Sequence, residues 1–156
     1  MKQSVQLDSI DRKIINELQR DGTLSNVILA ERVGASAASC WRRIKALEEC
    51  GVFKKTVRLI DARSIGRGIN VICHVRMKNH QPENIASFQS FVAERLEIMD
   101  CYMMSGDWDY LLRVVAGDVA DYEHFLMRGL LHHPAVATAS SHFALSQVKY
   151  ETSVPV

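Results

Sequence analysis

Apolar residues in the first third of the chain recur at helical spacing, broken at short intervals by capping and turn residues. Leu7, Ile10, Ile14, Ile15 and Leu18 share one face of a 3.6-residue period, which predicts a helix from about Asp8 to Arg20. Asp8 suits its N-cap and Gly22 its stop. A second helix is expected from Ser25 to Val33, with Leu29, Ala30 and Val33 inward and Gly34 in a turn that calls for positive φ. A third is expected from about Ala37 to Cys50, capped by Ser36, with Cys40, Ile44 and Leu47 as its buried stripe and Gly51 at its end. Val52 to Ile60, with Lys54, Lys55 and Arg58, reads as a basic extended strand, either a small wing or a connection.

The period then changes. Asp61 to Asn70, rich in turn residues, is the expected linker. From Asn70 to Lys78 apolar and polar residues alternate: Val71, Cys73, Val75 and Met77 fall on one face, Ile72, His74, Arg76 and Lys78 on the other. A helix over Asn84–Leu96, a strand over Ile98–Met104, a turn at Ser105-Gly106-Asp107 and a strand over Tyr110–Val115 follow. A helix over Val119–His132, stopped by Pro134, and a long strand over Val136–Tyr150 complete the pattern. Strand, helix, strand, strand, helix, strand is the ferredoxin-like order, an antiparallel sheet with both helices on one face. The expected class is α+β: a helix-turn-helix (winged-helix-like) domain over 1–60, a linker over 61–70 and a ferredoxin-like βαββαβ domain over 71–156. One sheet face is left uncovered, and an apolar face there predicts a partner sheet and hence a dimer.

Charge sharpens the first third. Residues 1–60 carry 11 Lys+Arg against 7 Asp+Glu, and residues 61–156 carry 8 against 11, so a formal net charge of +1 divides into +4 and −3. A basic segment suits a phosphate backbone. The third helix displays Ser36, Ala38, Ser39, Trp41, Arg42, Arg43 and Lys45 away from its buried stripe. Small and hydroxyl residues near its N-terminus allow close approach to DNA. Arginine grips guanine or phosphate bidentately, and lysine acts as a point charge. A charged helix face alone is usually a solvated face. After a capped helix, a small residue and a glycine turn, it reads as the helix that enters the major groove of double-stranded DNA.

Other chemistry is sparse. At 47% hydrophobic and 24% charged the composition is that of ordinary globular protein. No apolar run approaches the roughly 18 residues of a bilayer span, and MKQSVQLDSIDRK lacks a signal-peptide core, so no membrane partner and a cytoplasmic location are expected. Cys40, Cys50, Cys73 and Cys101 have neither CxxC nor paired metal spacing; of the six histidines, His74, His80, His124 and His142 lack a local partner at ligand spacing and His132-His133 falls at a helix C-terminus, so no metal is expected. No nucleophile–base pair or phosphate loop supports an enzyme.

The residues LDSIDRKIINELQRDGTLSNVILAERVGAS and RRIKALEECGVF, then SGDWDYLLRVV (Ser105 to Val115) and HPAVATASSHFALSQVK, resemble the leucine-responsive and asparagine-regulator (Lrp/AsnC) family over nearly the whole chain. The resemblance implies a transcription factor that forms homodimers through the sheet domain and assembles them into octamers or other higher oligomers. It also implies a small-molecule effector, commonly an amino acid, and no other cofactor. Carried over by residue, the effector site comprises Gly106, Asp107, Trp108 and Asp109, with Met103, Met104, Thr138, Ser140 and Ser141 as weaker candidates. Asp107 or Asp109 would accept from an ammonium, and N–H groups near Gly106 would hold a carboxylate. One departure stands out: the family often has proline after the serine that caps the third helix, where this chain has Ala37. The rival readings are an architectural DNA-binding protein without an effector and a small ferredoxin-like enzyme.

Overall fold

The computed structural model describes residues 5–156, which divide into two units: residues up to Arg58 together with Lys149–Val156, and Leu59–Val148. In the first unit, α1 spans Ser9–Arg20, α2 Asn26–Val33 and α3 Ala37–Glu49. Each begins where a side chain caps an orphan N–H. Asp8 accepts from Ile10 and Asp11, Ser25 from Ile28, and Ser36 from Ser39. Gly34 closes α2 at φ 73°, the left-handed conformation that its missing Cβ makes inexpensive. Ile14, Ile15, Leu29, Ala30, Val33, Cys40 and Leu47 are buried together, each large one contributing about 1.5–3 kcal/mol.

No strand forms over Val52–Ile60, so of the two readings of this segment, wing strand or connection, the strand is not met. Val52 and Phe53 fold back onto the helical core, donating to the Leu47 carbonyl at 2.9 and 3.1 Å. Lys54 to Ile60 is exposed, and without a neighbouring strand its backbone has no ladder to join. The carboxyl-terminal segment belongs to this helical unit rather than to the sheet. The Gln19 side-chain amide donates to the Val154 carbonyl (3.0 Å) and accepts from the Val154 N–H (2.7 Å).

The second unit opens with a 3-10 turn, Ala62–Ile65, inside the expected linker. It then builds β1 (Ile69–Met77), α4 (Pro82–Glu94), β2 (Ile98–Met103), β3 (Tyr110–Ala116), α5 (Val119–His124) and β4 (Val136–Phe143). The sheet order is β2-β3-β1-β4 with every neighbouring pair antiparallel, the ferredoxin-like arrangement. Strict alternation explains the core. Val71, Cys73, Val75 and Met77 of β1 and Tyr110, Leu112, Val114 and Ala116 of β3 point one way and are buried with Phe88, Tyr122, Phe125 and Leu130 of the helices.

Two elements differ from the sequence expectation. β4 stops at Phe143 instead of Tyr150, because its partner there is Val71, near the start of β1, and the ladder runs out. The second helix is regular only to His124. It then widens into a π-helical turn, Phe125–Leu130, in which the Leu131 N–H donates to the Leu126 carbonyl at 2.9 Å. The wider turn leaves both Phe125 and Leu130 facing the core. The uncovered sheet face is also less apolar than expected. Ile72, Leu111 and Val115 share it with His74, Arg76, Asp100, Arg113 and Ser140, and Arg113 and Asp100 form an ion pair there at 2.5 Å.

Candidate functional site

Two groups of residues carry chemistry, one in each unit. In the helical unit the residues expected to read DNA share the first three turns of α3 but differ in availability. Ala38, Trp41 and Arg42 are exposed, and among the described residues Arg42 forms no ion pair. Trp41 is 57% exposed, an unusual cost for a large apolar ring without a partner. Ser39 is half-buried, and the Ser36 hydroxyl is occupied by its cap to Ser39 N–H at 3.2 Å.

Arg43 is not free. Asp8 and Asp11 form a capping box at the start of α1, each using one carboxylate oxygen for backbone N–H groups. The remaining oxygens, Oδ2 of Asp8 and Oδ1 of Asp11, both accept from Arg43 Nη1 at 2.7 Å. These hydrogen bonds, Asp11's ahead of Asp8's, push the Arg43 guanidinium further toward its charged form. The Asp11 N–H and then Arg43 hold the Asp8 carboxyl below its ordinary range. Arg43 therefore fastens α3 to the start of α1, and its place among the base-contacting residues is not supported. Lys45 is partly withheld too: its ammonium lies 2.7 Å from Glu48, whose hydrogen bond raises its pKa.

In the sheet unit the turn between β2 and β3 brings several expected residues together. Gly106 takes φ 103°, which disfavours any side chain. Arg76 of β1 donates through Nε and Nη2 to the Asp107 carbonyl oxygen at 3.0 and 2.7 Å. Its guanidinium carbon sits 5.1 Å from the centre of the Trp108 ring, and the His74 ring lies 5.8 Å from that ring, tilted to it. Thr138 and Ser140 pair with Arg76 and His74 across the β1–β4 ladder, on the same open face. The Asp107 carboxylate has no hydrogen-bond partner among the described residues.

Asp109 is engaged throughout. Its Oδ2 accepts from the Met77 N–H at 2.7 Å and its Oδ1 meets His80 Nε2 at 2.6 Å. Its own N–H donates to Val75 and its carbonyl accepts from Met104, at 3.0 and 2.8 Å. Desolvation raises its pKa, but the bond from Met77 and the bond and charge of His80 outweigh that, leaving it below the ordinary carboxylate value. Asp109 thus clamps the turn to the edge of β1. Met104, 40% exposed, joins this backbone network. Ser141 belongs elsewhere: it pairs with Cys73, whose side chain is on the helix-covered face, and its hydroxyl lies 2.6 Å from the Tyr122 hydroxyl. It faces away from the turn, because residues adjacent in a strand point to opposite faces.

Sequence reasoning missed Arg76, His74 and His80 as neighbours of the turn. The alternation in Asn70–Lys78 had already set His74 and Arg76 on the face opposite the core, but nothing local linked that face to a turn some thirty residues later. His142 completes the group, its ring 5.5 Å from that of His74 and edge-on to it. The His74 Nδ1 is buried without a hydrogen-bond partner among the described residues.

Comparison with known proteins bears on both sites. A winged helix-turn-helix DNA-binding model matches residues 7–54, and an Lrp/AsnC ligand binding domain model matches residues 70–154. The transcriptional activator DecR of Escherichia coli K12 is 37% identical over 150 residues, covering 96% of this chain and 99% of that protein. The leucine-responsive regulatory protein of Rhizobium meliloti is 37% identical over 152 residues, covering 97% of each. A Neisseria meningitidis transcriptional regulator solved in complex with L-Met superposes with TM-score 0.92 at 34% identity, covering 96% of this chain and 97% of that one. An AsnC family regulator from Agrobacterium tumefaciens reaches TM-score 0.90 at 41% identity, with 96% and 97% covered. A DNA-reading helical unit followed by a ligand-binding sheet unit defines a transcriptional regulator, not an enzyme. This chain belongs to the Lrp/AsnC family.

Proposed function

We propose that this regulator reads a specific DNA sequence through Ala38, Ser39, Trp41 and Arg42 and is modulated by an amino acid held at the Gly106–Asp109 turn. In this reading Ser36 and Arg43 set the position of α3, and Lys45 adds a phosphate contact once released from Glu48. The observation that carries the effector half is the contrast between two aspartates of one turn: Asp109 is consumed by backbone and His80, while Asp107, whose backbone carbonyl Arg76 holds, has a carboxylate unpaired among the described residues. An ammonium would meet Asp107, N–H groups at Gly106 or the Arg76 guanidinium would take the carboxylate, and Trp108, Met104, Thr138 and Ser140 would border the side chain. The Neisseria regulator's complex with L-Met supports an amino acid as the ligand class. We place the working form as a cytoplasmic homodimer joined through the open sheet face and assembling further, so that several reading heads share one DNA by avidity.

The test is a panel of the twenty amino acids read by Trp fluorescence and by melting temperature, repeated in a gel shift with DNA. A saturable response to one or a few, with altered DNA affinity, is expected. Silence across the panel would remove effector control through this turn.

A further inference from the structure

A cleft of about 560 Å³ lies at the end of β3 remote from the β2–β3 turn. It exists because β2 is short. β2 begins at Ile98, paired with Val114, and the Val115 N–H is met only by the Glu97 carbonyl at 2.9 Å. Past that point no strand flanks β3 on this side, and a hollow opens toward the end of α4 and the π-helical turn. Leu96, Val114 and Phe125 give it apolar lining, and its volume falls within the range of small-molecule sites, roughly 300–1,000 Å³.

Its charged lining is unequally committed. Arg67 and Asp121 neutralise each other at 2.6 Å, and Asp121 is fixed further by the Gly117 N–H at 2.9 Å. Arg95 and Arg128 form no ion pair among the described residues, not even with Glu97, which also lines the cleft. The Arg95 guanidinium carbon sits 4.9 Å from the centre of the Phe91 ring, a stacking that orients the group while leaving its N–H donors unspent. Space is kept beside it: a Cβ at Gly129 would stand 3.9 Å from Arg95 Nη2 and 3.7 Å from Phe91. The same widened turn that keeps Phe125 and Leu130 in the core carries Arg128 and Gly129 to the cleft, and π-helical turns recur at functional sites.

We propose that this cleft binds a small organic anion, one carboxylate or phosphate group on a short apolar body, gripped by Arg95 and Arg128. Three arginines against Asp121 and Glu97 leave one positive charge in the lining, which a single oxyanion balances. Arginine's planar fork of donors matches either anion bidentately. The site is separate from the effector turn and does not depend on what binds there.

The full-length protein is titrated with a short-chain 2-oxo acid and with glycerol 3-phosphate, by calorimetry and by melting temperature. Saturable binding of at least one probe is expected, and the preferred probe tells carboxylate from phosphate. In an Arg95→Gln/Arg128→Gln double variant that binding should weaken at least about tenfold, since two charge-assisted contacts are lost. Gly129→Leu provides an independent arm, filling the cleft with both arginines in place, and it should weaken binding at an unchanged melting temperature. No saturable binding of either probe, or undiminished binding in the double variant or in Gly129→Leu, overturns the proposal.

Discussion

The α3 surface and the β2–β3 turn are built from different elements, yet each contains a pair of like residues of which one is tied and one is free. In the helical unit Arg43 is held by Asp8 and Asp11 while neighbouring Arg42 stands open. In the sheet unit Asp109 is held by Met77 and His80 while Asp107, two residues earlier, is open. The difference lies in what does the holding. Arg43 is fixed by side chains that already cap a helix, so α3 is secured by a part-buried charge network. Asp109 is fixed partly by backbone, so the β2–β3 turn, the proposed effector site, is secured to the sheet itself.

The largest expected effect separates the two arginines. Arg42→Ala should cost about 1–3 kcal/mol of DNA binding and reduce the salt slope by about one, at unchanged melting temperature. Arg43→Ala should instead lower the melting temperature by a few degrees, with a smaller loss of DNA affinity. Gel shifts across a salt series together with thermal melts decide it, and the reverse pattern would break the tied-and-free distinction in the head. Next come the aspartates. Asp107→Ala should weaken effector binding about tenfold or more through loss of a charged hydrogen bond while sparing stability. Asp109→Ala should destabilise the sheet unit by about 1–3 kcal/mol by leaving the Met77 N–H without its acceptor. Equal effects of the two on effector titrations at equal stability would make the turn's aspartates equivalent after all.

The smallest effect concerns acid. The Asp109 pKa is lowered in the folded state, so its stabilisation is fully present above the ordinary carboxyl value and is lost as pH falls through the lowered one. The melting-temperature gap between the unsubstituted protein and Asp109→Asn should therefore be constant near neutrality and close below about pH 4. A gap that persisted into strong acid would show that Asp109 acts by shape alone.

Much of the fold was legible in the sequence because its signals are local. Caps at Asp8, Ser25 and Ser36, the glycine at position 34 and the alternation through Val71–Met77 each act within a few residues. The failures were of two kinds. Val52–Ile60 has strand-like residues but no partner, and β4 outran β1. Pairing is a property of two segments, so one segment's pattern cannot reveal it. At the sites, motif reading named residues without seeing which of them distant parts of the chain engage. Arg43 is withdrawn by residues 32 and 35 positions away, and Asp109 by residues 29 and 32 away. Ser141 was misplaced although strand alternation, applied to Ser140 and Ser141 together, separates them.

The hydrogen bonds between Gln19 and Val154 have a consequence for chain topology. They join positions 135 residues apart, so the sheet unit is an insertion within the helical one, with two crossings of the polypeptide instead of one. Cutting after Arg58 would not release an intact head, since it would strand Lys149–Val156 on the wrong fragment. While the sheet unit is folded its two ends are held at a set separation, which spares most of the entropy of closing so long a loop. When it unfolds, that cost returns and the tail should leave Gln19. The two units thus share stability through the arithmetic of the chain.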